Sequence, residues 1–404
     1  MKNQRAIWVA SLLCSVAFTP FNSLAFDSGS DGSWGPMNVT VSTNYVMPSD
    51  GVFRCTSINV ATNCTVTFTP NALNTPVYLL AQSNIIVNGI IDVSGADGQT
   101  PGTISLAGPG GFAGGLAGQQ TSAPSYGQGP GGGHNYVYYG VVEHGYGGSF
   151  GSLGSTGSGT TGSTNYGNPL LVPLIGGSGG GGSGYSSSTN PGASGGAGGG
   201  AILLASSTSV NVAGNIVARG GRSVYTGGYY SGGGSGGGVR IVAPTVSVAG
   251  SIDVSGGTNS TIYYYGGNGR VRIDTTSSLN AKVIGNSQAT APVVSYGRSF
   301  FIFPPASPQL YFTTVGGTNI QAGTSNSITL PSGTNQVVTL CGTNFLGTVP
   351  VQIVATPDSG PAFTTNIVMN FPTANILVTT NVTINVPAYI FTHLNAYANY
   401  AVQP

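Results

Sequence analysis

GVRIVAPTVSVAGSIDVSGG (238–257) decides how this chain folds, because its plan occurs three times. YLLAQSNIIVNGIIDVSG (78–95) and AILLASSTSVNVAGNIVARGG (201–221) repeat it: short β-type segments, a glycine corner, and a glycine-rich exit. Leu79, Ile85, Val87, Ile91 and Val93 alternate with small or polar residues in the first copy. Leu203, Val210, Val212, Ile216 and Ala218 hold the comparable places in the second, and Ile241, Val246, Val248, Ile252 and Val254 in the third. Period-two alternation marks half-buried strands, and a repeat of about twenty residues marks a solenoid whose turns stack their apolar faces. A shortened fourth copy, GRVRIDTTSSLNAKVIG, begins at Gly269. Gly89, Gly214 and Gly250 share one corner, where a sharp turn would use the positive φ open to glycine.

The spacing of the copies is uneven. Gly214 and Gly250 stand 36 residues apart, Gly89 and Gly214 125 apart, and the excess always follows the same corner: residues 96–200, 222–237 and 258–268. Insertions at one corner of every turn must emerge on one side of the stack. Runs such as GGSGGGGSG (176–184) and GGAGGG (195–200) have two readings: flexible loop, or extended polyproline-II-like strands packed through backbone hydrogen bonds.

Tyrosines concentrate in these insertions, in NYVYYG (135–140), HGYGGSF (144–150), VYTGGYYSGGG (224–234) and IYYYGGNG (262–269). A flat apolar ring with a polar tip suits wet contact surfaces and sugar rings, so Tyr138, Tyr139, Tyr229, Tyr230, Tyr263, Tyr264 and Tyr265 form the candidate binding surface. The alternative is that the rings anchor the glycine segments to the stack.

The remaining composition narrows the function classes. Asp, Glu, Lys and Arg make up 5% of 404 residues with no cluster of either sign, so the chain lacks the basic patch that nucleic acid requires. Lys2 and Arg5, an apolar run over 6–18 and the small residues around Ser23 and Ala25 read as a signal peptide over 1–25, predicting a secreted or cell-surface protein. Pro20 interrupts the run too early for a membrane span, and no transmembrane segment is expected in the mature chain.

Candidate chemistry is sparse. Glu143 is the single glutamate, and Asp92 and Asp253 occupy equivalent IDVSG motifs with Val217 between them in the middle copy. Each aspartate reads as a turn-side acceptor for backbone amides rather than half of a glycosidase pair. His134, Glu143 and His144 lie close in sequence, but a glycine-rich loop holds metal ligands poorly; no catalytic, cofactor or metal residue is assigned. Cys55 and Cys64, nine residues apart, are expected to close a small disulfide loop, with two buried free thiols as the alternative; Cys341 reads as a core residue.

Residues 26–76 read as a lead-in and cap, 77–303 as the repeat domain, and PPASP (304–308) as a stiff linker. Beyond it, 309–404 loses the glycine bias and divides into about seven strands, LYFTTV, SITL, VVTLCG, VPVQIVAT, FTTNIVMNF, ILVTTNVTINV and FTHLNAYANY. That pattern suits an immunoglobulin-like antiparallel sandwich.

The segment FDSGSDGSWGPMNVTVSTNYVMPSDGVFRCTSINV (26–60), its continuation to 98, and GGGAILLAS, GGGVRIVAPTVSVAGSIDVSGG and GNGRVRID resemble a loosely defined set of exported glycine-rich bacterial proteins. The resemblance spans most of 26–274 and implies a β-helical surface or secreted protein; it assigns no catalytic residue. Together these readings predict an all-β chain: a parallel β-helix with glycine-rich loops on one side, then the sandwich. The function expected is structural or adhesive, binding a glycan or cell-surface partner, with a polysaccharide-degrading β-helix enzyme (lyase or hydrolase) as the alternative.

Overall fold

The computed structural model describes residues 26–100, 102–138, 141–155, 164–185, 187, 191–258, 263–277, 281–303, 308–320, 327–330, 334–373 and 376–398. The signal-peptide segment, Tyr139 and most of the PPASP linker lie outside them. The chain is all-β, with no helix among the described residues. Strands β1 (Gly35–Val39), β2 (Thr43–Val46), β3 (Val52–Val60) and β4 (Thr65–Thr69) begin a parallel stack. The lead-in thus contributes two strands, β1 and β2. The repeats follow as three-strand turns. The first is β5 (Val77–Ala81), β6 (Ile85–Val87) and β7 (Ile90–Asp92).

A hairpin of β8 (Asn135–Tyr138) and β9 (Val141–Gly145) occurs in the first insertion. The second turn is β10 (Ala201–Ser206), β11 (Ser209–Val212) and β12 (Asn215–Val217). It is followed by a two-residue hairpin of β13 (Tyr225–Thr226) and β14 (Tyr229–Tyr230). The third is β15 (Gly238–Val242), β16 (Thr245–Val248) and β17 (Ser251–Asp253), after which β18 (Arg270–Asp274), β19 (Val283–Ile284) and β20 (Val293–Gly297) finish the stack.

Equivalent strands pair in parallel, in register, forming a ten-stranded and a six-stranded sheet. The larger sheet curls because β3 belongs to two sides at once. Its residues 52–55 pair with β5, and its residues 58–60 pair with β6. Identical positions therefore form ladders inside one core: Leu79, Leu204, Ile241 and Ile273; Val60, Val87, Val212 and Val248; Val66, Ile91, Ile216 and Ile252. Trp34, Tyr45, Phe53 and Phe68 pack ring against ring at the N-terminal end, where an open stack needs a cap.

Two sequence expectations are corrected here. Leu203 is not the partner of Leu79; Leu204 is. A one-residue shift in a strand reverses its face, and Leu203 packs outside the coil with Val52, Leu80, Ala205 and Val242. Residues 299–303 lie over that outer face, with Phe300 and Ile302 packed on the cluster. The corner glycines Gly89, Gly214 and Gly250 also do not adopt positive φ. They are required by proximity: a Cβ on Gly250 would overlap the carbonyl oxygen of Gly214, and one on Gly214 that of Gly89.

Cys55 and Cys64 are free, buried thiols, so the disulfide expectation is corrected as well. Both side chains pack into the apolar interior.

The C-terminal part comprises β21 (Gln309–Val315), β22 (Thr318–Asn319), β23 (Asn335–Thr343), β24 (Gly347–Pro357), β25 (Phe363–Phe371), β26 (Val378–Asn385) and β27 (Thr392–Ala398). They make two antiparallel sheets, ordered β22-β21-β23-β26 and β25-β24-β27, around a core that includes Val338, Leu340, Val351, Ile353, Met369 and Phe371. The expected SITL strand (327–330) is not one, and the two-residue β22 takes the edge position.

Candidate functional site

The insertions all leave after the third strand of a turn and meet one another. Residues 176–184 run through the middle of the assembly. Every one of their nine backbone N–H groups donates a hydrogen bond, and the acceptors rotate with a period of three. Gly177, Gly180 and Ser183 donate to the carbonyls of Gly199, Gly196 and Ala193. Gly176, Gly179 and Gly182 donate to Gly110, Gln128 and Ser125, and Gly181 and Gly184 to Tyr146 and Glu143. Three residues per turn is the repeat of a polyproline-II helix, whose backbone groups point outward to neighbours instead of bonding internally. The glycine runs are therefore an ordered bundle.

At many of the bundle's glycines a side chain is excluded by contact. A Cβ on Gly180 would overlap the Gly232 carbonyl, one on Gly195 that of Gly180, and one on Gly198 that of Gly177. Ordering a glycine backbone costs about 1–2 kcal/mol per residue, and a hydrogen bond returns a net of about 0.5–1.5 kcal/mol. Those terms nearly cancel, so attachment to the coils settles the balance. Three runs, 192–200, 231–237 and 265–269, lead directly into β10, β15 and β18.

At the end of these runs remote from the coils, the aromatic residues collect around His144. Its ring stacks on Tyr264 at 4.8 Å, meets Tyr229 edge-on at 5.6 Å, and lies 6.1 Å from Tyr230 and 6.3 Å from Tyr136. Tyr230 stacks on Tyr264 at 5.0 Å, and Tyr225 packs on Tyr230 at 4.5 Å. His134 stacks on Tyr126 at 4.7 Å. The Nδ1 atom of His144 accepts the Tyr230 backbone N–H at 3.0 Å, which fixes the proton of the neutral ring on Nε2, 4.0 Å from Glu143 Oε2. Burial holds both histidines below the ordinary imidazole range. Burial, reinforced by Tyr146, Tyr230 and Glu143, pushes the Tyr264 phenol up to about 12.

Of the sequence-selected tyrosines, Tyr229, Tyr230, Tyr263 and Tyr264 are brought together here. Tyr263 is 63% exposed, while Tyr229, Tyr230, Tyr264 and Tyr265 are half-buried. Tyr265 makes no ring contact with this group; its carbonyl accepts the Ser155 N–H. Tyr138 ends β8, and Tyr139 falls outside the described residues. The sequence selection omitted His144, the hub, and Tyr225, which is 57% exposed. Their signal was the recurrence of aromatic residues within a few positions of each glycine run.

The carboxylates act in turns and ion pairs. Asp92 Oδ1 accepts the Ser94 N–H, and Asp253 Oδ1 accepts the N–H and hydroxyl of Ser255. Val217 separates the two aspartates in the ladder, as its sequence position indicates. Asp253 Oδ2 takes the Arg219 Nε at 2.6 Å. Asp274, fully buried, accepts Arg272 Nε at 3.0 Å and the Ser299 N–H at 2.9 Å, and pairs with Arg240 at 3.4 Å. Arg240 also donates to the Phe301 carbonyl, so this network fastens residues 299–301 across the coil. Comparison of the chain with protein-family models, with curated proteins and with solved structures finds no match.

Proposed function

We propose that this is an exported structural or adhesive protein, a parallel β-helix followed by an immunoglobulin-like sandwich, that contacts a glycan or cell-surface partner through the aromatic cluster. The in-register parallel ladders support the β-helix reading, and the two antiparallel sheets around one core support the sandwich. One observation carries the functional reading: insertions far apart in sequence converge on His144, leaving Tyr225 and Tyr263 facing solvent on an ordered glycine base. Rings held by their neighbours lose little freedom on contact, which favours binding. The low charge leaves stacking and hydrogen bonding as the means of recognition.

A glycan array and a whole-cell adhesion assay with the full chain test this reading. Tyr225→Ala/Tyr263→Ala is expected to lose retained ligands without unfolding. Unchanged retention in both assays would overturn it.

A further inference from the structure

A second site lies away from the aromatic cluster, where the sheet β25-β24-β27 faces the glycine bundle. A cavity of about 720 Å³ opens between them, within the roughly 300–1,000 Å³ range of small-molecule sites. None of its described lining residues is charged. On one wall Asn366, Gln352 and Tyr397 form a single cross-strand row, since Gln352 pairs with Asn366 on one side and with Tyr397 on the other. The opposite wall is the segment that precedes the central glycine run, with Asn165 and Tyr166 facing the space.

The two aromatic rings are held by their neighbours. Tyr166 Oη donates to the Gly176 carbonyl and accepts from Ser178, while its ring packs on Phe150 at 4.8 Å. The Tyr397 ring meets Phe112 edge-on at 5.7 Å. Both rings are thereby fixed as flat walls. The amides of Asn165, Gln352 and Asn366 differ: each lines the cavity, and among the described residues none has a side-chain hydrogen-bond partner. Each offers two donors and one acceptor oxygen.

We infer that this cavity binds a neutral saccharide. Sugars combine apolar C–H faces with hydroxyls that both donate and accept, matching fixed aromatic walls edged with unpartnered amides. The absence of cationic side chains disfavours sialylated or uronic sugars, whose carboxylates would lose water without gaining a counter-charge. The site does not depend on the aromatic cluster around His144.

The test is calorimetric titration of the full chain with cellobiose, maltose, lactose and N,N′-diacetylchitobiose, with digalacturonate as the charged comparison. At least one neutral disaccharide is expected to bind and digalacturonate is not. Gln352→Leu/Asn366→Leu should weaken that binding by roughly tenfold or more, the effect of losing two hydrogen bonds. Asn165→Ala, on an exposed segment where folding is not at stake, should weaken it as well, while Tyr225→Ala/Tyr263→Ala should leave it intact. Failure of every neutral sugar to bind, tighter binding of digalacturonate, or affinity unchanged by both cavity variants would each overturn the inference. Loss of binding in the tyrosine variant alone would move the sugar to the aromatic cluster and likewise overturn it.

Discussion

The imidazole of His144 accepts a hydrogen bond from the backbone N–H of Tyr230, 86 residues further along the chain, at 3.0 Å. This contact joins the hairpin of the first insertion to that of the second, and requires His144 to be neutral.

The consequence is a dependence on pH. Burial holds His144 and His134 below the ordinary imidazole range, so the unfolded chain takes up protons before the folded one does. Stability should be full above the ordinary imidazole range and fall as pH drops through it. The decline ends once the folded histidines protonate too. Glu143 near Nε2 opposes this trend but does not reverse it. Thermal melts between pH 8 and pH 5 should show the decline, and His144→Phe/His134→Phe should flatten it. In His144→Phe alone, the unpaired Tyr230 N–H should cost about 1–3 kcal/mol.

Glycine in the bundle is a packing requirement. Gly180→Ala and Gly196→Ala place a methyl group against the carbonyls of Gly232 and Gly221, and each should destabilise the protein by about 1–3 kcal/mol or more. Gly228→Ala tests a different requirement: nothing lies near its Cβ, but its φ of +95° is strained for alanine. Chemical denaturation of the three variants distinguishes overlap from backbone strain.

The buried network on the outer face of the coil should behave as a unit. Asp274→Ala leaves Arg240, itself 1% exposed, and Arg272 without their carboxylate, for a loss of about 3–5 kcal/mol. Limited proteolysis should then cut near residues 299–301, which Asp274 and Arg240 hold in place.

In the chain from residue 26 onward, Cys55, Cys64 and Cys341 should titrate as three thiols with a maleimide after unfolding and react slowly in the native protein. All three are buried, and burial pushes the Cys55 thiol up to about 12. Reductant should leave the melting temperature unchanged.

The curled parallel sheet was legible because period-two alternation and a repeated glycine corner are local signals. Register was less legible. AILLAS is apolar at almost every position, so nothing local separates Leu203 from Leu204; the segment carrying Phe300 and Ile302 buries both faces. The pairing of Asp274 with Arg240 and the position of His144 depend on contacts between distant segments, which leave no periodic trace. Glycine-rich runs are ambiguous for the same reason: their order resides mainly in backbone bonds between segments distant in sequence.

Hydrogen–deuterium exchange over residues 176–184 and 192–200 addresses that order directly. An ordered bundle predicts slow exchange at every amide of 176–184, comparable with the coil strands β10 and β15, because each N–H has a carbonyl or hydroxyl acceptor. Exchange at the rate of an unstructured peptide would contradict the account.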